Sequence, residues 1–187
     1  MTTDTRPPIR IRETLAFGDI ESEAAWLDWG FNCGPAAACA VLGLRPGDIR
    51  PWLGDFESKR YTDPSMMRRV LEEIGVRFRV VHQSDLEPTT SVVWPLYGLV
   101  RIQWDGPWTA PGVPLAARYR KSHWIAYQAA SLTAPASVFD INAIKSGGWI
   151  SEPMWRLRLV PWIVTSCVEQ GTGRWWPTHC YEVLGRR

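Results

Sequence analysis

The sequence predicts an α+β fold, with helices in the first part and an antiparallel sheet after them. Two observations carry this. Helical start and stop signals are confined to the stretches before Val76, and strand-like runs follow from Val76 onward. At 187 residues the chain can bury one sizeable core without a metal or disulfide staple.

Taken in order, residues 1–15, rich in Thr, Arg and Pro, read as a flexible N-terminal arm, and residues 16–187 as a single domain. An acidic-apolar stretch from Glu21 to Trp29 leads into "WGFNCGPAAACAVLGL". There Gly34-Pro35 marks a helix start, because proline suits the first helical position, where its missing N–H costs nothing. The Ala, Leu and Val that follow are apolar on every side, so the helix is expected to be buried, ending near Gly43. A second helix, "PSMMRRVLEEIG", has Asp63 as its cap and Gly75 as its stop. Its stripe of Met66, Met67, Val70, Leu71 and Ile74 is read as core.

From Val76 the period changes. "VRFRVV", "YGLVRIQW", "HWIAYQAA", "SVFDINAI" and "WRLRLVPWIV" are strand candidates, and "RWWPTHCYEV" reads as a packed C-terminal strand. Between Trp104 and His123 runs a long loop with prolines at 107, 111 and 114. Long ordered loops are often functional, so 105–117 is expected to wall a cleft together with Trp108, Trp124 and Trp149. These are three of twelve tryptophans, most of which are expected in or under the core.

Composition narrows the function classes. A net charge of +2 gives no reason to expect nucleic acid or anionic lipid as a partner. No signal-peptide core and no membrane-length apolar segment is present, so the chain reads as cytoplasmic. The cysteines at 33, 39, 167 and 180 form no C-x-x-C pair, and His179-Cys180 fits no standard metal spacing, so no cofactor or metal is expected.

Chemistry points to Cys33. A thiol just before a helix start faces unpaired N–H groups and the positive end of the helix dipole, which favour the thiolate and can bind an oxyanion. Gly34 beside it would let a substrate carbonyl approach the backbone. A nucleophilic thiol also needs a base and a group to orient that base. His123 opens the strand "HWIAYQ", and on a neighbouring strand "VFDIN" offers Asp140 or Asn142 to fix its tautomer. Arg118, Arg120 and Lys121, just before His123, form a solvated loop or a basic rim favouring a carboxylate-bearing substrate.

Together, "NCGPAAACAVLGL", "HWIAYQ" and "VFDIN" resemble the papain-like cysteine peptidases, most closely the branch of bacteriocin-leader peptidases. "GGWISEPMWRLRLV" is similar to the Trp-bearing stretch and closing strand of that branch. More loosely, "RYTDPSMMRRVLEEIGV" and "GLVRIQWDGPWTAPGVP" resemble proteins encoded in bacteriophages and prophages, with which a virion location would fit. The resemblance implies a papain-like fold with Cys33 as nucleophile, His123 as general base and Asp140 as orienter, acting on a peptide or protein. The family's oxyanion-binding Gln falls at Leu27 here, so Asn32 or Gln103 is expected to supply the missing donor. Two alternatives remain at this level: acyl transfer to an amine by the same triad, and a papain-like binding module without turnover.

Overall fold

The computed structural model describes residues 15–84, 91–119 and 121–186, so the expected arm falls outside it apart from Leu15, as does Arg120. The frame is an open antiparallel sheet of β1 (Val76–Gln83), β2 (Tyr97–Trp104), β3 (Ser122–Gln128), β4 (Ser137–Phe139), β5 (Trp149–Ser151) and β6 (Trp175–Arg186). Their order is β1-β6-β2-β3-β4-β5, so the C-terminal strand inserts between the first two.

Strand alternation sorts the core into two layers. On one face lie Leu99, Trp124, Ala126, Phe139 and Tyr181; on the other, Val100, Ile102, Ile125, Tyr127, Val138 and Cys180. Both faces are covered, which is why β2 and β3 are buried along almost their whole length rather than in alternation.

The first face carries α1 (Asp19–Trp29), α2 (Cys33–Leu42) and α3 (Pro64–Ile74), with α2 lying across β3 and β2. The helices stop at Gly30, Gly43 and Gly75, each in the left-handed conformation that closes a helix at low cost to glycine. Asp63 Oδ1 accepts from the Met66 N–H at 2.8 Å, and the Met66, Met67, Val70, Leu71 and Ile74 stripe is buried. The start of α2 differs from expectation: the helix opens at Cys33, with Asn32 as cap, and Pro35 sits inside the first turn.

The second face is covered by a helical run where "WRLRLVPWIV" was expected to be a strand. It comprises a short helix Glu152–Met154, a widened π turn Trp155–Leu159 and α4 (Val160–Ser166). The apparent W-R-L-R-L alternation misleads. The residues that bury are Trp155, Val160 and Ile163, a helical spacing, whereas Leu157 is 73% exposed. Ser151 starts the run by accepting from the Met154 N–H, with Pro153 in the first turn. "SVFDINAI" is also shorter as a strand: β4 ends at Phe139, and Asp140 caps a 3-10 helix, Ile141–Ser146.

The loop 105–117 is latched rather than poised. The Asp105 carboxylate accepts from Thr109 and Thr172 hydroxyls at 2.6 Å each and from Arg174 Nε at 2.9 Å. Among the described residues no helix is long and apolar enough to cross a membrane.

Candidate active site

Cys33 is the first residue of α2, and its position is fixed by Asn32. The Asn32 Oδ1 accepts from the Gly34 N–H at 3.3 Å while its Nδ2 donates to the Arg60 carbonyl at 3.0 Å. Gly34 serves packing: it is buried, and a Cβ there would collide with the Thr62 side chain. The expectation that Gly34 admits a substrate carbonyl is therefore replaced by a close approach between α2 and the Thr62 segment.

His123 lies near the start of β3, opposite Ile102 of β2, with its ring stacked on Trp104 at 6.3 Å between centroids. Its Nε2 lies 2.9 Å from Asp140 Oδ2. Asp140 has no solvent exposure, yet its carboxylate is fully provided for. Trp155 Nε1 donates to Oδ2 at 2.9 Å, and the Asn142 backbone N–H and Nδ2 both donate to Oδ1 at 2.9 Å. Burial pushes the Asp140 carboxyl up, but the His123 charge and these donors outweigh it and hold it below its ordinary value. Asn142 thus holds Asp140 and does not itself touch the imidazole.

With Nε2 turned to Asp140, the other ring nitrogen of His123 is left for the Cys33 sulfur, whose ionisation the imidazole influences across the cleft they share. Burial raises the thiol. The His123 charge, its hydrogen bond and the Trp124 backbone N–H act in the opposite direction and bring it below its ordinary value of 9.0. Burial lowers the imidazole, but Asp140 and the thiolate more than reverse this and hold it well above 6.5. Both shifts run in the direction that favours a thiolate beside an imidazolium over the neutral pair.

Two clefts meet at Cys33. The larger, about 940 Å³, is floored by the sheet: the register aligns His179, Arg101 and Trp124 side by side on the face that carries α2. The smaller, about 390 Å³, holds Trp26, Trp104, His123 and Asn142. Trp124 lines the larger cleft and donates from its indole to the Thr62 carbonyl at 2.8 Å. Trp108 and Trp149 line neither cleft. Trp108 donates to the Trp104 carbonyl within the second layer, and Trp149 stacks on Tyr97 beside the first. Among the described residues, none of 105–114 lines either cleft, whereas Lys121 lines the smaller one.

Of the two expected oxyanion donors, Asn32 borders both clefts. Gln103 does not serve: it is 1% exposed, and its Nε2 donates to the Trp104 and Lys121 carbonyls at 3.0 and 2.9 Å. Leu27 is 70% exposed and lines neither cleft. Trp155 and Arg101 were missed at the sequence level. Trp155 lay in a presumed strand, and Arg101 lay in the strand candidate "YGLVRIQW" with no role assigned to it.

His179 and Cys180 cannot act together, because adjacent strand residues point to opposite faces: His179 lines the larger cleft and Cys180 belongs to the second layer. Among the described residues no cluster of His, Cys, Asp and Glu is arranged to hold a metal. No family model, curated protein or solved structure matches the chain.

Proposed function

We propose that the chain is a papain-like cysteine hydrolase that cleaves an amide bond, as a peptidase or isopeptidase. The observation that carries this is the continuous line Cys33–His123–Asp140, ending in a buried carboxylate whose oxygens are all satisfied. So well supported a buried anion, aimed at one imidazole, has a purpose only if that imidazole must hold charge.

In the first half-reaction the Cys33 thiolate attacks the substrate carbonyl carbon. The carbonyl oxygen becomes an oxyanion facing the helix start. There the Gly34 N–H is taken by Asn32 and Pro35 has none, which leaves the Cys33 N–H as donor. The Asn32 amide, which has a second hydrogen besides the one on Arg60, stands in the position to add a further donor. His123 passes its proton to the leaving nitrogen, the C–N bond breaks, and an acyl thioester remains on Cys33. Water then gives its proton to His123 and attacks the thioester, releasing the acid and restoring thiolate and imidazolium. Asp140 stays ionised throughout and fixes the ring.

Iodoacetamide at about pH 6.5, read cysteine by cysteine by mass spectrometry, tests the reading. Cys33 is expected to alkylate at least about tenfold faster than the exposed Cys167, since only the thiolate reacts. His123→Ala is expected to abolish the difference. Equal rates in the unaltered protein would instead make the chain a binding module.

A further inference from the structure

The larger cleft contains a charge that the triad does not use. Arg101 is 3% exposed in mid-sheet, and it lines the cavity into which Cys33 opens. Buried guanidinium groups are ordinarily paired with carboxylates, because removing the charge from water is otherwise costly. Among the described residues no carboxylate lies within ion-pair distance of Arg101. Its Nη1 donates to the Thr178 hydroxyl at 3.1 Å, its carbon Cζ lies 5.1 Å from the centre of the Tyr119 ring, and its Nε is buried without a partner. Among the described residues lining the cavity the one carboxylate, Asp63, is engaged in capping α3. Arg60 also lines the cavity.

We propose that Arg101 is the receptor for a carboxylate on the substrate, so that the hydrolase takes acidic peptides and holds their carboxylate in the cavity beside Cys33. This rests on the proposed thiol hydrolase reading and names its substrate class. Arg101 sits opposite Trp124 on β3 and opposite His179 on β6, so the receptor is built on three paired strands rather than on loops. Thr178 is bulged out of the ladder next to Arg101. Its hydroxyl both accepts from Nη1 and donates to the Arg101 carbonyl, which fixes the arginine at both ends. The planar fork then presents its remaining donors to a carboxylate in a fixed direction. Burial depresses the guanidinium, and the Tyr119 and Cys33 sites counter this, so an arriving carboxylate meets a poorly solvated cation.

The carboxylate has two sources, an acidic side chain or a free C-terminus, and matched peptides separate them. Cys33→Ala protein is titrated calorimetrically with acetyl-Ala-Glu-Ala-amide against acetyl-Ala-Gln-Ala-amide, and with acetyl-Ala-Ala acid against acetyl-Ala-Ala-amide. In one pair the acid is expected to bind about tenfold or more tightly than its amide. Adding Arg101→Met is expected to bring that pair within about twofold. Should that variant not fold, Arg101→Lys serves, because a point charge without the fork is expected to lose most of the preference. Acid and amide binding alike in both pairs, no binding by any of the four peptides, or a preference that survives the Arg101 change overturns the proposal. Recognition is measured here without the thiol, so its failure leaves Cys33 chemistry standing, and failure of Cys33 labelling leaves this result standing.

Discussion

Cys33 and Cys39 stand on the same helix and have opposite chemistry. Burial pushes both thiols up. Cys39 stays well above its ordinary value, with the Asp48 and Glu21 charges adding to the effect and its sulfur facing the Arg45 carbonyl at 3.6 Å. Cys33 falls below its ordinary value because His123 and the Trp124 N–H lie against it. Cys180, inside the second layer, is pushed up to about 12 by burial alone. A buried cysteine is thus inert by default. The lowered value at Cys33 is assembled from a helix start, the second residue of β3 and the residue that follows β4, pieces far apart in sequence.

The most forceful way to erase the contrast is Asp140→Asn. The amide removes the negative charge that holds the imidazolium, and its NH₂ group faces donors rather than acceptors, leaving at least one of His123, Trp155 and Asn142 without a partner. Turnover is expected to fall about 10³-fold or more, with KM little changed. Stability is expected to drop by about 3 kcal/mol in urea unfolding, the typical result of breaking a buried ion pair. A loss of kcat smaller than about tenfold would remove Asp140 from the role of orienter.

pH tests the same difference without a mutation. The thiolate–imidazolium pair exists between the lowered Cys33 value and the raised His123 value. The rate of Cys33 alkylation is therefore expected to rise through a midpoint below 9.0, whereas Cys39 stays unreactive over the same range. In kcat/KM the acid limb belongs to Cys33, and the alkaline limb, above 6.5, to His123 losing its proton. The stability contributions have opposite signs. That of His123, whose folded value is raised, is complete below pH 6.5 and is lost as pH rises from there through the raised folded value. That of Asp140, whose folded value is lowered, is present above 3.8 and is lost as pH falls through the lowered value. A Cys33 alkylation midpoint at or above 9.0 would show that His123 does not activate it.

What could be read beforehand divides along physical lines. Helix caps and stops act locally, so Asp63, Gly43 and Gly75 were legible, as was the stripe of α3. β2 and β3 were legible as dense apolar runs bounded by breakers. The second-face helical run was not, because Pro161 and the π turn disturb its period and leave Leu157 and Trp162 exposed. The Ser151-Glu152-Pro153 start was the available signal. Trp108, Trp124 and Trp149 were expected together as cleft walls, but strand register brings Trp124 to the larger cleft, whereas Trp108 and Trp149 line neither. Register also explains why Arg101 and Trp155 escaped notice: one is defined by its row across three strands, the other by an indole reaching back to Asp140.

The smallest effect is expected where the comparison began, at Cys39→Ala. The side chain is fully buried, so its loss leaves a void of about one sulfur atom and costs roughly 1 kcal/mol. In a chain of this size that corresponds to a fall in melting temperature of about 2–4 °C. The bond that closes the helix is untouched, because the Gly43 N–H docks on the Cys39 carbonyl and not on its sulfur. Activity and Cys33 alkylation are therefore expected to stay within about twofold, as for a volume change remote from the reacting groups. Cys33→Ala is the mirror case, with turnover abolished and the melting temperature nearly unchanged, since the side chain it removes borders open clefts. If Cys39→Ala instead lowered activity about tenfold in protein that remains folded, α2 would be more than a strut, and the position of Cys33 would depend on packing well inside the helix.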